Sequence, residues 1–121
     1  MRIHLITCVK EKQNHSCPAV EMYQGTLFQR LVTIAQKEAD RFFILSGKYG
    51  LLLPEEIIDP YDVHLGQTSD VYQKKWSAKV IEKLQLHTDL LNDHFVLYCS
   101  EAYHRLIIPA IASHEIPMVI E

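Results

Sequence analysis

The stretch Phe43-Ile44-Leu45-Ser46-Gly47-Lys48-Tyr49-Gly50-Leu51-Leu52 decides the fold of this chain. Phe43 to Leu45 is apolar on both faces, which suits a strand covered on each side by helices. The strand runs into a small polar turn flanked by glycine, and Ile58-Asp59-Pro60-Tyr61-Asp62 follows shortly. Ligands of open α/β sheets bind just beyond the carboxyl ends of the strands. A serine, a lysine and two glycines at such an end predict a site, with the end of the first strand as the other candidate.

Working outward, Arg2 to Cys8 reads as a first strand, apolar and too short for a signal peptide. Residues 9–24 are polar and irregular, broken by Asn14, Ser16 and Pro18. From Thr26, the residues Leu27, Leu31, Ile34, Ala35 and Glu38 fall on a helical period. Arg41 to Ser46 is the second strand. Residues 47–66 show no sustained period and hold three of the four glycines, so they predict a long loop. Such loops in compact domains are usually functional.

Residues 68–86 predict the longest helix, with Tyr72, Trp76, Val80 and Leu84 repeating every fourth position and Thr68 or Ser69 as cap. His94 to Cys99 is a third strand. Tyr103, Leu106, Ile107, Ala110 and Ile111 form a helical stripe that Pro109 kinks or shortens. Residues 117–120 predict a short last strand, which at a sheet edge could pair with a second copy. Strands alternating with helices imply a parallel sheet with right-handed crossovers. The expected fold is a single α/β domain over residues 1–121: a three-layer Rossmann-like sandwich with a mostly parallel sheet of about four strands.

Composition narrows the function classes. A 121-residue chain is one domain's worth, and 48% hydrophobic with 22% charged residues is ordinary for a soluble protein. No apolar run approaches the ~20 residues needed to span a bilayer, so the expectation is no membrane and a cytoplasmic location. Cys8, Cys17 and Cys99 are an odd set at irregular spacing, which fits a reducing compartment. The net charge of −3 argues against a generic nucleic-acid binder but leaves room for a local basic pocket from Lys10, Lys12 and Lys48. The seven histidines include no HExxH, and Cys8, His15 and Cys17 fit no common zinc spacing. No metal or cofactor is expected.

Four segments carry candidate chemistry. Cys8, near Lys10 and Lys12, is a candidate nucleophile if the lysines lower its pKa; otherwise it is a small buried hydrophobe. Lys10 and Lys12 could hold a phosphate, a carboxylate or an electron-rich base, or be solvated loop lysines. In Ser46-Gly47-Lys48-Tyr49-Gly50 the P-loop spacing is absent, and no GxGxxG occurs anywhere in the chain. What remains is a turn in which glycine permits close backbone approach to a ligand, Ser46 offers a hydroxyl and Lys48 a cation; the alternative is a plain tight turn.

Asp62, beside His64, is a candidate for general acid–base work, against the plain reading of Pro60-Tyr61-Asp62 as a turn. Asp59-Pro60-Tyr61 echoes the water-activating motif of uracil-DNA glycosylases, although there it follows the first strand and here the second. After the third strand, Ser100 reads as a helix cap, while Tyr103 and Arg105 would suit a base or nucleotide unless they are simply core and surface. Tyr49 and Tyr61 flank these polar groups and join the ligand-binding set.

The chain resembles a family of bacterial and phage domains of unknown function. The matching blocks are Cys8, Lys10 and Lys12; Met22-Tyr23-Gln24-Gly25-Thr26-Leu27-Phe28; Phe43 to Leu52; Pro60-Tyr61-Asp62; and Ala102-Tyr103-His104-Arg105. More distantly it is similar to the lysine-transferring domain of archaeosine synthase, which acts on a 7-deazapurine base in RNA, and to the uracil-DNA-glycosylase superfamily. These resemblances imply a pocket for a nucleobase. Val9 stands where relatives carry a small serine, and Tyr49 where they carry a histidine, which puts binding ahead of catalysis.

The expected function is binding of a nucleobase, nucleoside or nucleotide, extending to an enzyme of nucleic-acid base modification. Lys10 and Lys48 would hold the anionic part, Tyr103 would stack, and Ser46 and Asp62 would orient the ligand. Nucleic acid is admitted as a partner, and the chain is expected as monomer or homodimer. The competing expectation is a non-catalytic accessory domain that binds a protein or nucleic acid.

Overall fold

The computed structural model describes residues 1–7 and 12–118. Strand β1 (Arg2–Ile6) is followed by the two-residue strand β2 (Cys17–Pro18), the one-turn helix α1 (Ala19–Met22) and helix α2 (Thr26–Glu38). Strand β3 (Arg41–Ser46) leads to β4 (Gly50–Leu52) and β5 (Ile57–Ile58). Helix α3 (Asp70–His87), strand β6 (His94–Tyr98), helix α4 (Glu101–Ile107) and strand β7 (Ser113–Glu115) follow.

The main sheet has the order β4-β3-β1-β6-β7, and β2 pairs with β5 in a separate antiparallel ribbon. Strand β1 lies parallel to both β3 and β6, with Leu5 opposite Phe43 on one side and Leu97 on the other. Strand β7 runs parallel to β6, while β4 runs antiparallel to β3. The fold is α/β with a mostly parallel five-stranded sheet.

Because strand side chains alternate between faces, the sheet feeds two separate cores. Ile3, Leu5, Phe43, Leu45, Phe95 and Leu97 pack with Trp76, Val80 and Leu84 of α3 and with Tyr103 and Ile107 of α4. Ile6, Ile44, Val96 and Tyr98 pack on the opposite face with Met22, Phe28, Leu31 and Ala35 of α1 and α2. Burying one such side chain is worth about 1.5–3 kcal/mol, against ~0–1 kcal/mol for an exposed ion pair. These two apolar faces therefore dominate the stability of the layered arrangement.

Several local expectations are corrected. Residues 47–66 are not one loop: Gly50–Leu52 turns back along β3, with Gly50 at φ 79°. That left-handed conformation needs glycine. The last strand lies at Ser113–Glu115, where His94 pairs with Ser113 in register. Pro117, which has no N–H for a ladder, and Met118 are irregular, and residues 119–120 lie outside the described ones. Helix α2 is rotated from the expected stripe. Phe28, Leu31, Val32 and Ala35 face the core, while Leu27 is 40% exposed, because the large ring of Phe28 fills the space against Tyr23.

Helix α3 begins at the expected cap: the Ser69 hydroxyl accepts from the Tyr72 N–H at 3.1 Å. Helix α4 gives way at Ile108 to a tight turn containing Pro109. No helix among the described residues is long and apolar enough to cross a membrane.

Candidate functional site

The chain leaves β1 for β3 through α2 on one face of the sheet, and it leaves β6 for β7 through α4 on the other. The connections diverge between the carboxyl ends of β1 and β6, where open α/β sheets form their ligand crevice. The Thr7 N–H donates to the Tyr98 carbonyl at 3.1 Å and extends the β1–β6 pairing by one residue.

Hydroxyl groups collect there. Tyr103 lies in the first turn of α4, with its hydroxyl beside Gly47 and near the Thr7 side chain. Tyr23 follows α1 and shares a hydrogen bond with Tyr61, hydroxyl to hydroxyl. Ser46, at the end of β3, places its hydroxyl near that of Tyr23. The same Ser46 oxygen accepts the N–H groups of Lys48 at 3.2 Å and Tyr49 at 2.9 Å, which shapes the turn. Burial, reinforced by the neighbouring Tyr61, pushes the phenols of Tyr23 and Tyr103 above their ordinary range. They stay neutral near pH 7 and act as hydrogen-bond donors and acceptors, not as bases.

Around this cluster stand the half-buried rings of Tyr49 and Tyr61 and the ammonium of Lys12. Tyr49 meets Tyr61 edge-on at 5.5 Å, and its hydroxyl bonds both the N–H and the carbonyl of Asp59 at 3.3 Å. The Ser16 hydroxyl donates to the Asp59 carboxylate and ties the loops together. Lys12 bridges to Tyr23 through the backbone and carries its Nζ 4.7 Å from the Tyr61 ring centre.

Of the residues singled out from the sequence, Lys12, Ser46, Tyr49, Tyr61 and Tyr103 come together here. Tyr103 does so through its hydroxyl alone, since its ring is buried edge-on against Trp76 at 5.5 Å. That packing corrects the expectation that Tyr103 stacks on a ligand. Lys48 lies on the far side of the turn, toward α3, with its Nζ 5.2 Å from the Tyr49 ring centre. Asp62 is 90% exposed, and His64 Nε2 lies 3.2 Å from its carboxylate. Arg105 points away from the crevice and donates to the Gln73 side-chain carbonyl at 2.8 Å, so it joins α4 to α3. Cys8 and Lys10 lie outside the described residues.

Gly47 permits a close approach, but the approaching group is the chain itself. A Cβ at this position would meet the Val63 carbonyl oxygen at 2.6 Å and the Tyr103 hydroxyl at 3.3 Å. Thr7, Tyr23, Tyr72 and Trp76 were not anticipated as site residues. Thr7 could have been found as the residue just past β1. Tyr23 could not, because its partner Tyr61 is 38 residues away. Cys17 and Cys99 are free and buried, and burial pushes the Cys99 thiol up to about 12. Among the described residues no group of three or more His, Cys, Asp or Glu is placed to hold a metal.

The model of a family of unknown function, DUF6884, matches residues 3–120. The chain belongs to that family. It is also similar to a UPF0246 protein of Crocosphaera subtropica, 30% identical over 97 residues, covering 70% of this chain and 39% of the relative. A UPF0246 protein of Legionella pneumophila is 37% identical over 59 residues, covering 44% of this chain and 23% of the relative. The chain thus spans well under half the length of these curated relatives. No solved structure matches it.

Proposed function

We propose that this domain binds a nucleobase, nucleoside or nucleotide at the carboxyl ends of β3 and β1, beside the hydroxyl cluster. The observation that carries the reading is the convergence of the Thr7, Tyr23, Ser46, Tyr61 and Tyr103 hydroxyls beside the half-buried rings of Tyr49 and Tyr61. A heteroaromatic base presents several neutral donors and acceptors on a flat apolar ring. Neutral phenols and hydroxyls match its edge, and aromatic side chains match its face. Lys12 adds a cation for an electron-rich edge or a phosphate.

Binding leads over catalysis because Val9 and Tyr49 stand where the resembled family carries a serine and a histidine. Base modification, which the distant likeness to archaeosine synthase and uracil-DNA glycosylases suggests, would draw its acid–base pair from His64 and Asp62 at the crevice's outer loop. A role in a longer protein, as in the UPF0246 relatives, fits a domain of this kind.

The test is a thermal-shift screen with uncharged bases, 7-deazapurines and nucleosides. A ligand at 100 times its Kd adds about 2.7 kcal/mol to stability. One base class should raise the melting temperature, and Tyr61→Phe or Lys12→Met should abolish the rise while leaving the ligand-free protein folded. If no base or nucleoside shifts the melt at millimolar concentration, the reading fails and a partner-binding role takes its place.

A further inference from the structure

On the other side of the Ser46–Lys48 turn lies a groove of about 200 Å³ lined by Lys48, Tyr72, Lys75, Trp76 and Lys79. Its aromatic floor is fixed to the turn by two hydrogen bonds. Trp76 Nε1 donates to the Ser46 carbonyl at 2.8 Å, and the Tyr72 hydroxyl donates to the Gly47 carbonyl at 2.7 Å. Three exposed lysines stand around this floor in a chain whose net charge is −3.

The lysines are not neutralised from within. Lys83, one turn further along α3, is paired with Glu56 at 2.6 Å. Among the described residues no carboxylate lies within 4.0 Å of Lys48, Lys75 or Lys79. Lys75 and Lys79 stand four residues apart on one helix, an arrangement of like charges that destabilises a helix unless an anion lies between them. Lysine is a compact, strongly hydrated point charge suited to phosphate. A concave site lined by one sign of charge also concentrates counter-charge from solution.

We infer that this groove is a phosphate-binding site, with Lys48, Lys75 and Lys79 as its cations and Trp76 and Tyr72 as its floor. It stands on its own geometry and meets the hydroxyl cluster at the turn and at the Trp76–Tyr103 ring contact. The phosphate could belong to a free nucleotide or to a nucleic-acid backbone, and the same chemistry would recognise either.

Trp76 is the single tryptophan of the chain and lines the groove, so its fluorescence responds to binding there; its ring also meets Tyr103 at 5.5 Å, and the Lys75 and Lys79 variants assign the response to the groove. The probes are inorganic pyrophosphate, a nucleoside 5′-triphosphate and a ten-nucleotide single strand, each titrated at constant ionic strength. At least one should change Trp76 emission saturably. The double variant Lys75→Gln/Lys79→Gln should weaken that binding by about tenfold or more, and Lys48→Gln should weaken it less. Lys74→Gln, outside the groove, should not affect it. Far-ultraviolet circular dichroism checks that each variant is folded.

The strongest responder tells a free phosphate from a backbone phosphate. The inference is overturned if no probe changes the emission, if sodium chloride reproduces the change, or if the double variant binds like the wild type. Failure here leaves the response to uncharged bases intact, so the two readings fall separately.

Discussion

The indole N–H of Trp76 donates to the carbonyl oxygen of Ser46 at 2.8 Å, across 30 residues of sequence and inside the core. It joins the middle of α3 to the last residue of β3, the position from which the turn departs. The turn's geometry is therefore set by the α3 layer as much as by its own residues.

Replacing Trp76 with phenylalanine keeps much of the apolar volume and removes the indole donor from that buried carbonyl. A buried group left unsatisfied costs about 1–3 kcal/mol, and the cavity adds to it. Urea denaturation followed by circular dichroism should show a loss of at least that size. An unchanged midpoint would mean the bond contributes nothing.

Gly47→Ala should be more damaging than Gly66→Ala. The added methyl at position 47 would sit 2.6 Å from the Val63 carbonyl oxygen, a backbone atom with little room to yield. At position 66 the nearest group is the Ala102 methyl at 3.3 Å. Overpacking of this kind costs about 1–3 kcal/mol. Thermal melts of the two variants compare them directly, and equal losses would refute the close approach.

Alkaline pH should destabilise the protein through Tyr23, Tyr98 and Tyr103. Burial raises all three above the ordinary phenol value. A raised folded pKa means the native state holds its protons longer than the unfolded chain. The resulting stability is complete below about pH 10 and is lost as pH rises beyond it. Absorbance at the phenolate band should show part of the tyrosine complement ionising only on unfolding. Simultaneous titration of all six tyrosines in the folded state would contradict this.

His4 gives the opposite sign at mild acid. It is fully buried on β1, its Nε2 accepts from Arg2 Nε–H at 3.2 Å, and Nδ1 therefore carries the proton without a partner among the described residues. Burial, then the Arg2 charge, lowers its pKa, against smaller opposing effects of Glu38 and Glu115. Stability is full above about pH 6.5 and falls as pH drops below it, because the unfolded imidazole takes the proton first. His4→Phe should flatten stability between pH 7 and 5 and cost little at pH 7. A variant with the same pH slope would clear His4 of the effect.

How much of this was legible from residues alone follows their range of interaction. The apolar run of β3, the Ser69 cap and the fourth-residue repeat of α3 are local patterns, and the structure keeps them. The three-residue strand β4 was hidden because Gly50-Leu51-Leu52 is too short to show a period. Its pairing is defined by Leu45 opposite Leu51, not by its own composition. The stripe on α2 was readable as a stripe but not in phase, since both Leu27 and Phe28 begin acceptable helical repeats.

The candidate site divides along the same line. Strand ends are visible in a sequence, so Ser46, Lys48 and Tyr103 could be singled out, and the periodicity placed the main strands and helices in their order. Burial then chose what each residue presents. It left Tyr103 only its hydroxyl and turned Arg105 toward Gln73. It also brought Tyr23 to Tyr61 and gathered Lys75 and Lys79 beside Lys48. Hydrophobic periodicity is a property of neighbours in the chain and can be read along it. The meeting of side chains 25 to 38 residues apart depends on how two apolar faces pack, and only the folded molecule contains that.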